Sequence, residues 1–377
     1  MNSGVNNKHY DVIVVGGGIL GCACAASLAK QGLSLCLVEP STIGGGTTAA
    51  GMGHLVVMDD NPAELALSAY SLELWRELIS QHKDLAQAHE YRQCGTIWVA
   101  SDEEEMQAAR AKREILQAHG IASDMLDANA LHAHEPHLRA GLAGGLLVPH
   151  DALVYAPKSA QLLLDIALAH GAQRITDCVV ELSDDCVRLA SGEILHAQHI
   201  VIANGMASRQ LVDDLPLRYK KGHLLITDRY PEFIRHQCVE LGYIKSAHAS
   251  DGDSVAFNLQ PRPTGQILIG SSRQFDVTDK AVEADILSKM LARACEYAPA
   301  LAQLKALRSW TGFRAATPDG LPYVGPHPHR KHVWMATGHE GLGVTTSLAS
   351  AALLRDQICG LQSAIAIAPY LPARVIN

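Results

Sequence analysis

The sequence predicts an α/β fold in which a parallel-sheet domain is interleaved with an antiparallel α+β domain. Three observations predict it. An apolar run, Tyr10–Val15, passes through glycines into a helical pattern and then into a second apolar run ending at Glu39. Two later β-runs, SVAFNLQ (254–260) and QILIGSS (266–272), are joined by PRPTG, a hairpin loop. Apolar residues make up 48% and charged residues 19% of the 377, enough for a sizeable core and about two domains.

Taken in order, YDVIVV (10–15) reads as a buried strand, GGGILG (16–21) as a turn into a helix to about Lys30, and Gly32 closes that helix. LSLCLVE (33–39) reads as a second parallel strand, followed by the glycine-rich stretch Gly44–Gly53. A helix is expected over about 62–80, with Pro62 near its start. Ser101–Glu104 forms a capping box for a helix to about His119. Pro157 suits the first turn of a helix over 157–170. HIVIAN (199–204) is a short strand, 279–297 a helix, and WTGFRAATPDGLPYVG (310–325) a strand running into a turn-rich loop. HVWMA (332–336) is a strand, GHEGLG (338–343) a loop, and 345–358 a helix stopped by Gly360. The resulting division gives 8–85, 150–214 and 306–377 to the first domain, and 86–149 and 215–305 to the second.

Composition excludes several functions. The net charge of −8, from 31 basic and 39 acidic residues, leaves no footprint for nucleic acid. Met1–Tyr10 lacks the apolar stretch of a secretory signal. Neither Val12–Val15 nor Leu348–Leu354 approaches the roughly 20 residues a membrane span needs, so a cytoplasmic chain without integral membrane contact is expected. The nine cysteines are odd in number and fall largely in apolar elements, which reads as free thiols in a reducing compartment. No C-x-x-C pair offers a redox dithiol, and no metal-ligand spacing occurs.

The informative motif is Gly16-x-Gly18-x-x-Gly21 with Glu39, which stands 18 residues beyond Gly21 at the end of the second strand. In this strand–turn–helix setting it is the Rossmann-type dinucleotide fingerprint. Gly16 permits the turn, Gly18 lets backbone approach a pyrophosphate, and Gly21 lets helix and strand pack closely. Ile19 and Leu20 open the helix whose free N–H groups face the phosphates, and Glu39 accepts from the adenosine ribose. Two further loops select FAD over a lone nicotinamide. Thr47, Thr48, Ala50, Gly51 and Met52 supply small or hydroxyl-bearing residues along a long dinucleotide. His339, Glu340, Gly341, Leu342, Gly343 and Val344 place backbone N–H groups where a reduced flavin gathers negative charge.

With these motifs assembled, the chain resembles the D-amino-acid-oxidase-like flavoproteins, the group that includes glycine oxidase and sarcosine oxidase. The likeness rests on the fingerprint, TTAAG (47–51), HIVIANG (199–205), WTGFRAATPDGLPYVG and GHEGLGVTT (338–346). It implies an FAD domain and an antiparallel substrate domain with the flavin ring between them. It also implies that Cys178 and Val179 contact adenine through backbone, that Ala203, Asn204 and Gly205 line FAD, and that Arg314 grips the substrate carboxylate. A narrower likeness, carried by GMGHLVVMDD (51–60) and NLQPRPTGQILIGSSRQF (258–275), is to β subunits of multi-subunit amino-acid dehydrogenases acting on D-hydroxyproline or on the opines octopine and nopaline. It implies companion α and γ subunits bearing flavin and iron–sulfur centres. Glycine oxidase has a tyrosine in the strand before its Pro-Arg turn, whereas this chain has Asn258, which implies a different substrate contact.

The chemistry expected is hydride transfer from the α-carbon of an amino or imino acid to flavin N5. It asks the protein chiefly to orient the substrate and neutralise its carboxylate. Arg314, whose planar fork can hold both carboxylate oxygens, leads the candidates. His54 follows the flavin loop, and Asn258 and Tyr243 complete the set, with Lys221 and Arg273 as weaker members. His150-Asp151 is similar to the His-Asp pair of heterotetrameric sarcosine oxidase β subunits, which implies FMN at a subunit interface near His150. The leading expectation is the catalytic β subunit of an FAD-dependent dehydrogenase. The alternatives are a self-sufficient oxidase using oxygen and a non-redox FAD protein.

Overall fold

The computed structural model describes residues 8–82, 89–242 and 253–376. Tyr243 lies outside the described residues. The strand Lys8–Val15 is buried along its apolar end and lies at the middle of the first sheet. The order across that sheet is Tyr323–Pro326, Val333–Thr337, Ile194–Ile202, Lys8–Val15, Leu35–Val38 and Gln173–Ile175. All neighbours run parallel except the Tyr323–Pro326 edge. Val179–Leu182 and Cys186–Leu189 hang antiparallel from Ile194–Ile202. Residues buried on both faces, such as Ile13, Leu37, Val201 and Met335, explain why these strands read as continuous apolar runs.

The first helix, Ile19–Ala29, packs between Ala156–Ala169 and Ser347–Cys359. Close approach is what its glycines permit. A Cβ on Gly21 would sit 1.9 Å from the Gly16 carbonyl oxygen. A Cβ on Gly17 would meet Glu39 Cγ and Ile43 Cδ1 at 2.7 Å.

The second sheet is ordered Ala306–Ala316, Arg218–Thr227, Ile267–Phe275, Ser254–Pro261, Gln237–Glu240, Thr96–Ala100, Gly144–Val148 and Asp124–Asp127. Its hairpin is the expected one, with Asn258 opposite Gly270. Phe257, Leu259, Ile267 and Ile269 turn to a core shared with the helix Ala284–Tyr297, and the Phe257 and Tyr297 rings stack 4.3 Å apart. Asn258 and Gln260 alternate to the opposite face. Beneath the hairpin, fully buried Glu240 accepts from Phe257 N–H at 2.6 Å and from Tyr297 Oη at 3.1 Å, and it is ion-paired with Arg293.

Several expectations need correction. Ala306–Ala316, grouped with the first domain by the sequence, is hydrogen-bonded into the second sheet against Arg218–Thr227. The capping residue of the Glu103–Ala118 helix is Asp102, whose side chain accepts from Glu105 N–H, one position later than the sequence suggests. The 279–297 helix starts only at Ala284, because Asp279 and Glu283 turn to the buried Lys221 ammonium at 3.2 and 2.8 Å. All nine cysteines are free, and no helix of the described residues is long and apolar enough to cross a membrane.

Between the two sheets lies the segment that follows Gly51. His54–Leu55 pairs with Ala152–Leu153, and the fully buried Asp151 accepts from Val57 N–H at 3.2 Å. Burial pushes the Asp151 carboxyl up to about 7, against the smaller pull of neighbours that include the Val57 amide. An acid with a raised folded-state value loses stability as pH climbs from its unfolded value, near 4, to about 7. Asp151→Asn keeps an acceptor for Val57 and removes the titration. The variant is therefore expected to gain on the native protein progressively between pH 4 and 7, by a few kcal/mol, and to hold that gain above pH 7. Thermal unfolding across pH 4–9 tests this, and parallel curves would refute it. Gly21→Ala is expected to cost about 3 kcal/mol or more by forcing helix and strand apart, as read by denaturant unfolding.

Candidate active site

The carboxyl ends of the parallel strands open toward the polar face of the second sheet, where open α/β sheets bind ligands. Glu39 ends its strand with its carboxylate accepting from Gly17 N–H at 2.7 Å and from Ser41 N–H and Oγ at 2.9 and 2.7 Å. Ala203 continues the central strand, donating to Val15 O at 2.9 Å, and Ala203–Asn204 pack directly under Gly16. Gly18 differs from its neighbours. A Cβ there would meet only Thr48 Oγ1, at an ordinary 3.5 Å. The chain therefore has no packing reason for glycine at 18, and the half-buried Gly18 and Leu20 border open space. Thr48 Oγ1 accepts from Ile19 N–H at 3.1 Å, tying the second glycine-rich stretch to the helix N-terminus.

That stretch is stapled across to the second sheet. Thr47 Oγ1 donates to Phe313 O at 2.9 Å and Trp310 Nε1 to Ala50 O at 3.2 Å. Gly51 is exposed, while the Met52 sulfur packs 3.3 Å from where Gly270 would carry a Cβ. Opposite, the loop Gly338–Gly343 follows the strand Val333–Thr337. His339 turns inward, its Nε2 2.9 Å from Ser350 Oγ, and burial pushes its imidazole down to about 3. Glu340, with a φ of 49°, donates its N–H to Ala315 O at 3.0 Å and pairs its carboxylate with buried Lys220. Leu342 N–H returns to His339 O, Gly343 packs on Leu20, and Val344 O accepts from Trp75 Nε1.

Arg314 lies between these parts. Its guanidinium passes over Gly222, where a Cβ would come within 2.9 Å of it, and donates to Ser272 O at 3.1 Å. Its Nε is 3.6 Å from the Cβ position of Gly341. The bare backbone of Gly222 thus makes room for the cation, with Gly341 at ordinary contact distance beside it.

His54 is the centre of a second group. Its Nδ1 bonds Gln237 Oε1, its Nε2 lies 3.4 Å from Asn258 Nδ2, and Gln260 Nε2 approaches at 3.3 Å. Burial pushes the imidazole down to about 4, outweighing the Gln237 bond and aided by Arg262, so the ring is neutral at physiological pH. Arg262 is held by Glu90 at 2.5 Å and donates to Met52 O, Val154 O and Gln260 Oε1.

The structure thus brings Arg314, His54 and Asn258 to one face, and removes Lys221 to the buried ion pair already described. Arg273 lies beside Lys220 and is half-buried. His150 is exposed, its Nδ1 3.1 Å from Gln93 Nε2. Cys178 has both backbone groups engaged, its N–H with Asp177 and its carbonyl with Ala190. Sequence reasoning missed Gly17, Gln237, Gln260 and Lys220. Gly17 was visible in the triple glycine. The other three become legible only through strand pairing.

Comparison with known proteins gives the family and the fold. The profile of the FAD dependent oxidoreductase family matches residues 11–357. Glycine oxidase of Geobacillus kaustophilus is 28% identical over 394 residues, covering 98% of each chain. The crystal structure of glycine oxidase from that organism superposes with a TM-score of 0.87 at 26% identity, covering 98% of this chain and all of its own. A subunit of the opine oxidase of Rhizobium meliloti is 24% identical over 368 residues, covering 93% of each chain. The open cradle at Gly18, with a helix N-terminus behind it and Glu39 beside it, fits the dinucleotide that this family carries. The chain belongs to the FAD dependent oxidoreductases, as an FAD enzyme of the amino-acid-oxidising group that includes glycine oxidase.

Proposed function

We propose that the chain is an amino-acid oxidase of the glycine-oxidase type, oxidising the C–N bond of a small amino or imino acid. The observation that carries this reading is Arg314, seated over Gly222 and Gly341 at the junction of the two sheets. A guanidinium there can take a substrate carboxylate through two parallel N–H bonds. FAD, when bound, supplies the two-electron acceptor. The chain's own residues then have limited work: Gly16, Gly18, Gly21, Glu39, Thr47 and Thr48 hold the dinucleotide, the Gly338–Gly343 loop offers N–H groups to the flavin, and Arg314 orients the substrate. The neutral His54–Asn258 face offers no carboxylate that would hold the amine as an ammonium ion.

A second reading is favoured by the likeness to the opine oxidase polypeptide. In it the chain is the catalytic subunit of a hetero-oligomeric dehydrogenase acting on D-hydroxyproline or an opine. Electrons would leave through companion subunits that carry flavin and iron–sulfur centres, with FMN beside His150. Anaerobic bleaching of the flavin by a panel of amino acids, cyclic imino acids and opines tests both readings, and failure of every compound to bleach it would sink both. Rapid reoxidation by oxygen in a homomer supports the first. Slow reoxidation, with a companion-bearing complex on co-expression, supports the second.

Two substitutions separate cofactor from substrate. Gly18→Val is expected to fold with a melting temperature near that of the flavin-free native protein yet purify colourless, because the side chain meets ligand space and not protein. A fully yellow variant would refute the cradle. Arg314→Ala is expected to retain FAD and lose roughly 10- to 100-fold in kcat/KM, the worth of a charge-assisted contact. Unchanged kinetics would remove Arg314 from the site.

A further inference from the structure

We propose that Asn258 Oδ1 is a substrate-recognition acceptor, taking a hydrogen bond from an N–H or O–H group of the bound amino acid and excluding a carboxylate from that end of the site. The proposal rests on the amino-acid-oxidising reading and names the substrate group that reading leaves open.

The argument is one of hydrogen-bond polarity. Two groups in the network have only one possible role. The Ala152 carbonyl accepts and the Arg262 guanidinium donates. Gln237 Nε2 lies 3.0 Å from Ala152 O and 3.4 Å from Thr96 Oγ1, so the nitrogen of that amide is turned away from His54 and the oxygen toward it. Gln260 Oε1 accepts from Arg262 at 3.3 Å, and its Nε2 donates to Gln237 Oε1 at the same distance. Gln237 Oε1 is therefore an acceptor on both counts, and the His54 Nδ1 that bonds it carries the proton. A neutral imidazole protonated at Nδ1 has an acceptor at Nε2, and Asn258 Nδ2 donates to it.

Every orientation is then determined, and the last atom of the relay is Asn258 Oδ1. It is closed to solvent and receives no hydrogen bond among the described residues. Turning the amide over would oppose two acceptors and strand two N–H groups, so the network holds Oδ1 as an unmet acceptor. The Asn258 residue as a whole is only half-buried, and its terminal torsion is soft, so a small rotation offers the oxygen to a ligand.

The location suits a substrate. Asn258 pairs with Gly270, over which Met52 packs, and Ser272, two residues along the same strand, gives its carbonyl to Arg314. One strand spacing and two residues of rise put Ser272, whose carbonyl holds the Arg314 guanidinium, on the order of 8 Å from Asn258. An amino acid with its carboxylate on Arg314 and a donor on Asn258 spans that distance. A second carboxylate does not suit this end: the three amides and the imidazole are neutral, and Arg262 is already held by Glu90.

The shared chemistry, a donor, has two sources: the reacting amine or a hydroxyl further along the substrate. Holoenzyme of the native protein, of Asn258→Leu and of Asn258→Val is assayed with a dye acceptor on alanine, serine and O-methylserine and on proline and 4-hydroxyproline, in both enantiomers. Acetate binding by calorimetry reads the carboxylate end alone. The expected result is at least a tenfold loss of kcat/KM in either variant with acetate affinity within twofold of native. A loss on every substrate assigns the amine. A loss confined to serine and hydroxyproline, with the native enzyme preferring serine to O-methylserine, assigns the hydroxyl. Values of kcat/KM within twofold of native on all substrates, or acetate affinity falling in step, overturn the proposal. A native enzyme whose flavin no amino acid bleaches refutes the functional reading itself, a result distinct from silent variants of an active enzyme.

Discussion

The backbone from Gly44 to Val57 runs between two sheets with only a short helical turn and the His54–Leu55 pairing, so many of its polar groups must be satisfied there without a ladder. Side chains from four other places help do this, and two of the segment's own threonines bond outward. Thr47 reaches Phe313, Trp310 reaches Ala50, Arg262 reaches Met52, Thr345 reaches the His54 carbonyl, Thr48 caps Ile19 and Asp151 holds Val57. Because these partners stand on the second sheet, on the first helix and on the loop before the last helix, the same bonds that anchor the segment also tie the two sides of the cleft together. His54 has its position for this reason: its backbone is clamped by Thr345 and paired with Leu153 before its ring meets Gln237.

The first sheet was largely legible in the sequence, because its signals are local. Buried parallel strands are apolar runs, and Gly21 is constrained within its own motif by the Gly16 carbonyl, although Gly16 itself packs on the distant Ala203 and Asn204. Glycine at 18 was also legible, but its meaning needed the structure. Gly16, Gly17 and Gly21 touch protein where a Cβ would go, whereas Gly18 touches almost nothing. The second sheet was less legible. Two of its pairings, Ala306–Ala316 with Arg218–Thr227 at one edge and Gln237–Glu240 with Thr96–Ala100 further in, join strands across long separations, and no local period announces them. Hence the misplaced boundary at 306 and the silence on Gln237. Asn258 was noticed as a departure from a family pattern, but its role depends on Ala152, Gln237 and His54, which come from three other elements.

Electrostatics divides the cleft into unequal ends. Lys220 and Arg262 are each paired with a carboxylate, Glu340 and Glu90. Those pairs do structural work, one fixing the left-handed residue of the Gly338–Gly343 loop and the other the carbonyls of Met52 and Val154. Arg314 donates from Nη1 to a carbonyl, Ser272 O, a neutral acceptor that binds a guanidinium less strongly than a carboxylate does. At the other end burial keeps His54 neutral. A protonated histidine there would turn Nε2 into a donor and break the bond from Asn258, so the depressed imidazole and the amide orientation support each other.

Substrate contacts and folding contacts are separated on this sheet by the simplest device available to a strand. Along 255–260 Phe257 and Leu259 face the helix Ala284–Tyr297, while Asn258 and Gln260 face the cleft. Changing an outward residue leaves the core pairing with Tyr297 and Glu240 intact, whereas a one-residue slip would bury the amides and expose the ring. The inward face therefore pins the register and the outward face is available for variation. The alternate positions of the hairpin thus separate the two tasks, with Phe257 and Leu259 committed to the core and Asn258, on the proposal made above, turned to the substrate.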